Sequence, residues 1–473
     1  VKSTNSLLRY GGFAFSVGGA RVVGILITSL TFPYLVRHLG VEMYGLWSYV
    51  LAVCAFLGII ADPGLTTYAI QQVAARREDG FELIPDVLVL RVFSSLIALV
   101  ILLAIAFVEV RPDVRYLLRL YGIGLLFVSL LSADRFLSAV EMFHARSLLI
   151  VTQQAIYALG IFALVHVPKD VVWLPVCILG SSALTGLVGW TLMWRRGFKL
   201  RRAIRPQRWR GILVPSVYYG FSSFMSTLYH RTGYLAVRWF LGDHALGLYA
   251  AAARFVDLLE QFVTMVLYVL MPRMALAAKS GAVPNRLSRF AVAVMALISI
   301  PLTAGLITTA HLLVPWILGA TYLQDISLLK WMSPYLLTAP AASLLAGTIL
   351  YAMGRHRSYL ISTAGGAVAG VLLYLTLIPA FGLPGAALAF VLAQFFVAAI
   401  AYALLPRELW GLWKNPMIGI ALAGTMLMVV AVRFANAYVS SIAVVVSVGV
   451  LVYTVSCGWF VRKWLRQELG SLQ

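Results

Sequence analysis

Residues 37 to 79 read RHLGVEMYGLWSYVLAVCAFLGIIADPGLTTYAIQQVAARRED, and the way this stretch opens decides the fold. Leu39-Gly40, four residues, then Gly45-Leu46-Trp47 returns as Leu241-Gly242, four residues, then Gly247-Leu248-Tyr249, about 200 residues later. Each copy lies between two long apolar segments. The spacing predicts one hairpin-based unit used twice, a duplicated membrane bundle.

Composition agrees. Hydrophobic residues make up 62% of the 473 and charged residues only 11%, which a soluble domain of this length would carry only by exposing large apolar surfaces. An all-α polytopic membrane protein is expected. Cys54, Cys177 and Cys457 each sit in an apolar segment without metal-ligand or redox-pair spacing, and read as small packing residues. The formal charge of +20 is explained by orientation rather than by nucleic acid, because Lys and Arg concentrate in alternate loops.

Apolar stretches of about 20 residues place about 14 spans near 10–36, 44–70, 84–108, 116–140, 147–167, 172–194, 212–240, 247–271, 288–312, 327–350, 358–378, 384–405, 415–432 and 441–461. The first runs past signal-peptide length without a small-residue cleavage site and is expected to remain as a transmembrane helix. With the N-terminus inside, about 24 Lys and Arg fall on the cytoplasmic side and about 5 outside, the latter being Arg37, Arg111, Arg115, Lys169 and Arg433. An even number of spans, with both termini cytoplasmic, follows. The two copies then share one orientation, as parallel repeats do.

Between the sixth and seventh spans the chain reads RRGFKLRRAIRPQRWR from Arg195 to Arg210, with eight basic residues and no acid. It suits a linker lying on anionic lipid headgroups, or a capture site for a phosphorylated lipid. Asp62-Pro63-Gly64 interrupts the second span, Pro301 the ninth, and Pro334 and Pro340 the tenth, so neighbours must satisfy the freed backbone groups.

Ionisable residues inside the spans are the candidate site. Arg21 lies near the middle of the first span, Arg231 past the middle of the seventh, and Arg91 and Arg254 about two turns from an end. A cation at a lipid-facing helix centre costs about 2.5 to 3.5 kcal/mol, so these four are expected to line a polar interior that takes an anion. Arg119, Arg238 and Lys330 lie close enough to an outer edge to snorkel. Asp62, Asp134, Asp257 and Glu260 are the acids. Arg254 with Asp257, three apart, and Asp134 beside Arg135 read either as internally neutralised pairs or as functional charges. Asp62, Asp257, Glu260 and His230 are the candidates for ion coupling, although a lone membrane histidine such as His230 is more often a helix-to-helix hydrogen-bond partner.

No G-x-x-x-x-G-K-[ST], Asp-x-Asp or H-E-x-x-H occurs, and no loop is long enough for an extramembrane catalytic domain. The expectation is a non-enzyme without metal or cofactor, driven by an ion gradient, the membrane potential or substrate supply.

Residues 33 to 79, PYLVRHLGVEMYGLWSYVLAVCAFLGIIADPGLTTYAIQQVAARRED, resemble the opening of the polysaccharide transporter (Wzx-like) family of the multidrug/oligosaccharidyl-lipid/polysaccharide (MOP) flippase superfamily. LGATY at Leu318, AMGRHRSYL at Ala352 and IPAFGLPGAALA at Ile378 extend the resemblance. It implies two six-helix lobes, 1–194 and 211–405, joined by the basic linker 195–210 and followed by two C-terminal helices within 406–473. It further implies alternating access and export of an undecaprenyl-diphosphate-linked oligosaccharide across the bacterial inner membrane. Proton or sodium coupling and a polysaccharide polymerase partner belong to the same implication. By helix and depth, Arg21 would receive the diphosphate from the first lobe and Arg231 or Arg254 from the second. Arg forks suit that task because they bind phosphate oxygens at two points.

Three other readings compete. A cation-coupled drug exporter of the same superfamily would want an acidic cavity, and the Arg-rich interior opposes it. A lipid II flippase shares the chemistry and would differ in which lipid-linked glycan accumulates on depletion. A membrane glycosyltransferase or polymerase would need a large outer loop or a catalytic acid cluster, which the sequence lacks.

Overall fold

The computed structural model describes residues 2–76, 81–131, 133–140, 142–197, 204–279, 285–439 and 441–470. Lys199, Arg201 and Arg202 of the basic linker, residues 77–79 and the side chain of Asp134 lie outside the described residues.

Fourteen α-helices and no strand are present among the described residues. They are α1 (Lys2–Ala61), α2 (Leu65–Arg76), α3 (Ile84–Val108), α4 (Pro112–Leu131), α5 (Phe143–Leu164), α6 (Trp173–Arg195) and α7 (Trp209–Lys279). There follow α8 (Asn285–Ile317), α9 (Asp325–Met332), α10 (Tyr335–Ala342), α11 (His356–Phe381), α12 (Leu383–Ala403), α13 (Pro416–Tyr438) and α14 (Ile442–Gly470). A π-helical turn over Ser343–Leu350 continues α10. Ten segments of the described residues are long and apolar enough to cross a membrane, including the 43-residue run Gly19–Ala61. The protein is a multi-pass membrane protein.

Helices and spans do not correspond one to one, and glycine explains why. The first expected span and most of the second form one helix, α1, broken only at Gly40 (φ 71°, ψ 175°), and the seventh and eighth are α7, broken only at Gly242 (φ 85°, ψ −177°). This backbone region is open essentially to glycine alone. A single residue therefore turns the chain at the same place in both motif copies. The second glycine of each copy serves proximity instead. A Cβ on Gly45 would stand 2.7 Å from the Gly247 nitrogen, and one on Gly247 would stand 2.0 Å from the Val41 carbonyl oxygen. The two copies thus meet backbone to backbone.

The expected breaks at Asp62-Pro63-Gly64 and Pro334 are present, whereas Pro301 and Pro340 lie inside continuous helices. Asp62-Pro63-Gly64 separates α1 from α2, with Gly64 at φ 85° and the Thr66 amide donating to Asp62 Oδ1 at 3.1 Å. That corner packs on α7, since a Cβ on Gly220 would stand 2.7 Å from the Pro63 carbonyl oxygen. In α8 the chain runs helically through Pro301, which cannot donate to the Leu297 carbonyl. Tyr453 of α14 supplies the missing donor, its hydroxyl 2.7 Å from that oxygen.

The chain divides into two compact units, Val1–Gly247 and Leu248–Gln473. One hydrophobic cluster of the first unit gathers Leu65, Ile84, Phe136, Leu149, Met193 and Ile212. A cluster of the second gathers Met274, Leu345, Ile349, Val397 and Leu409. The end of the basic linker is tied to the first unit. Asp86, fully buried near the start of α3, accepts from the Arg205 amide at 2.8 Å and the Trp209 indole N–H at 3.1 Å, while Glu82 takes Arg208 at 3.2 Å. Cys54, Cys177 and Cys457 are free and buried.

Candidate functional site

In the first unit, Arg231 is half-buried on α7 with its guanidinium carbon 5.6 Å from the centre of the Tyr234 ring, a cation–π geometry. Tyr121 of α4 lies within its electrostatic reach and makes an edge contact with Trp47 at 6.2 Å. No carboxylate pairs with Arg231 among the described residues. Its neighbour His230 holds the Ser226 carbonyl through Nδ1 at 3.0 Å, with its ring against Tyr229. That contact assigns the proton to Nδ1. Arg21, in the same unit, is exposed on α1.

Arg91 has different surroundings. It is only 3% exposed, and its Nε lies 3.8 Å from Asp62 Oδ2, which also faces Arg135 Nη1 at 3.9 Å. Thr66 donates to the same carboxylate through both its amide and its hydroxyl. Asp62 therefore sits at the meeting point of two arginines and the α1–α2 corner. The partner of Arg135 at this site is 73 positions away, which spacing along a helix does not reveal.

In the second unit Arg254, Asp257 and Glu260 follow one another along α7, all half-buried. No hydrogen bond or ion pair holds Arg254 among the described residues, so the expected neutralisation by Asp257 does not take that form.

The first unit also contains a charge network built around the repeated motif. Arg238 donates to both oxygens of Glu109 at 2.8 and 2.9 Å and to Asp243 at 2.7 Å, with Tyr49 beneath its guanidinium at 3.9 Å. Arg111 bridges Glu42 at 2.6 Å and Asp243 at 2.8 Å. Glu42 belongs to the first motif copy and Asp243 to the second, so Arg111 staples them across the α3–α4 connection. The side chains of Arg238 and Glu109 are 15% and 10% exposed. Arg238 is accordingly locked in ion pairs rather than snorkelling to the interface.

These contacts set the protonation of the network. Hydrogen bonds from Arg238 hold the Glu109 carboxyl below its ordinary value. Burial pushes Asp243 upward, yet hydrogen bonds from Arg111 and Arg238 leave it depressed. Arg111 is raised by Asp243 and Glu42. A depressed carboxylate contributes stability that is complete above its ordinary value and is lost only as pH falls through the depressed one. Hydrogen exchange across Glu109–Arg115, corrected for intrinsic rates, should therefore keep its protection from pH 8 to about 5 and lose it only in stronger acid. Loss of protection already between pH 8 and about 6 would contradict the pairing.

A family model described as polysaccharide biosynthesis protein matches residues 14–277, more than half of the chain. The chain belongs to this family. Among solved structures, this polysaccharide biosynthesis protein is similar to the lipid II flippase MurJ in an inward closed conformation. The TM-score there is 0.77 at 15% identity, covering 96% of this chain and 99% of that one. It is also similar to a MATE family transporter in an outward-facing conformation, with TM-score 0.60 at 16% identity over 86% of this chain and 96% of that one. A MOP superfamily transporter from Pyrococcus furiosus gives 0.59 at 15% identity over the same shares. At such identities the likeness speaks for the fold, which is that of the MOP superfamily. No curated protein sequence matches this one.

Proposed function

We propose that this polysaccharide biosynthesis protein is a flippase that moves an undecaprenyl-diphosphate-linked oligosaccharide across the bacterial inner membrane by alternating access. The observation that carries the reading is a contrast in pairing. Arg91, Arg135, Arg111 and Arg238 face carboxylates, whereas Arg231 and Arg254 lie half-buried along α7 without one among the described residues. A buried cation without a counter-ion is costly unless a ligand supplies the charge, and a diphosphate supplies two. We assign Arg231, Arg254 and the exposed Arg21 to the diphosphate. Arg91 and Asp62 are held back from substrate and coupling by each other. His230, Asp257 and Glu260 are the groups assigned to coupling with protons or sodium. The first span enters from the cytoplasmic side, and the exported unit goes to a polysaccharide polymerase.

A lipid II substrate is the second reading, favoured by the extent of the MurJ likeness. The same arginines would serve it, since both substrates present a diphosphate.

Arg231→Ala and Arg254→Ala should each lower export by about ten-fold or more while leaving insertion and folding intact, losing one charge-assisted phosphate contact apiece. Mass spectrometry of lipid-linked intermediates on the inner membrane face would show which glycan accumulates. Accumulated lipid II, with surface polymer precursors untouched, would select the second reading. Undiminished export in both variants would overturn the assignment of these cations.

A further inference from the structure

A cavity of about 460 Å³ lies within the second unit, inside the range typical of small-molecule sites. Its walls come from α8 through Met295, from α10 through Leu337, from the π-helical turn through Leu344 and from α12 through Phe395 and Ala398. They are almost wholly apolar. Leu337 and Phe395 are 40% and 50% exposed, so the cavity opens on an apolar surface of the second unit, of the kind that suits hydrocarbon. The π-helical turn contributes to its shape, because a wider turn displaces side chains that a regular helix would stack.

One end of the cavity is different. Tyr402 and Trp413 line it there, and the Tyr402 hydroxyl donates to the Trp410 carbonyl at 2.5 Å. Arg355 donates to the Leu404 carbonyl at 3.3 Å, Lys414 follows Trp413, and Asn415 holds the Arg289 carbonyl at 3.0 Å. With Arg407, this rim carries four exposed basic side chains against one acid, Glu408. Paired aromatic and basic residues of this kind mark the level of lipid headgroups.

Depth selects among lipids. From Arg289 at the rim to Ser299 on the wall, α8 rises roughly 15 Å, half the hydrocarbon thickness of a bilayer. That matches one acyl chain of one leaflet and is far short of a long polyprenyl tail.

We propose that this cavity is a binding site for an anionic phospholipid of the bilayer, one acyl chain between α8, α10 and α12 and its phosphate on Arg355, Arg407 and Lys414. The site is separate from the arginines assigned to the exported diphosphate and stands whatever the exported glycan is.

The test uses the full chain in nanodiscs of equimolar phosphatidylglycerol and phosphatidylcholine, followed by release into native mass spectrometry. The expected result is one retained phosphatidylglycerol, preferred about five-fold for each rim charge it meets. Arg407→Gln with Lys414→Gln should cut the preference to about the five-fold that Arg355 alone supplies, without touching the apolar walls. Ala398→Phe, which fills the cavity, should lower retention of both lipids by about ten-fold. If Ala398→Phe does not fold, the rim pair decides alone. Equal retention of the two lipids by the unmodified chain, or an unchanged preference in the rim variant, would overturn the proposal. So would retention of added undecaprenyl phosphate in place of phosphatidylglycerol.

Discussion

Gly247→Ala is expected to lower the stability of the protein by about 3 kcal/mol or more, the upper range for a group forced into a packed contact. The added Cβ would meet Val41 backbone atoms at 2.0 and 2.7 Å, and backbone cannot swing aside as a side chain does. Gly45→Ala should behave in the same way, since its contacts are also with backbone. Gly40→Ala isolates the other requirement of the motif. Nothing lies within 4 Å of a Cβ there, so its cost is backbone strain alone, about 1 to 3 kcal/mol. Thermal unfolding in a fixed detergent, with yield of inserted protein, separates the two. Equal melting of Gly247→Ala and the unmodified chain would mean that the motif copies do not touch.

Arg238→Ala is expected to cost about 3 kcal/mol, because it leaves the little-exposed Glu109 carboxylate without its arginine and Asp243 with Arg111 alone. Arg238→Lys should recover only part, since an ammonium cannot reproduce the two-point grip on Glu109. Arg119→Ala is the control. That side chain is exposed and makes no ion pair among the described residues, so its loss should stay within about 0.5 kcal/mol. Melting of all three variants together would show that the network contributes only surface charge.

The bundle was legible because hydrocarbon constrains the chain locally. Long apolar runs, the doubled LG-x4-GL motif and the breaks at Asp62-Pro63-Gly64 and Pro334 all appear in the fold, since each is a property of a few consecutive residues. The charge partners were not legible in the same way. Arg238 reads as a snorkelling edge residue until Glu109, 129 positions away, is brought beside it. Arg135 faces Asp62, a partner 73 positions away that its neighbour Asp134 does not suggest. Arg254 and Asp257 have helical spacing and still make no pair. Spacing establishes which side chains share a helix face, whereas rotamer and neighbouring helix decide which of them meet. Arg231 and Arg254 were singled out from depth alone, because a charge within a long apolar run is conspicuous, and their role is the one proposed above.

The hydroxyl of Tyr453 on the Leu297 carbonyl has a consequence for the history of the chain. A proline at 301 is tolerable because another helix repairs the ladder it breaks, so the two positions share one fate in evolution. A lineage that drops the last helix pair, or turns Tyr453 into phenylalanine, inherits an orphaned carbonyl in oil. Such lineages should have exchanged Pro301 for a residue that still owns an amide hydrogen.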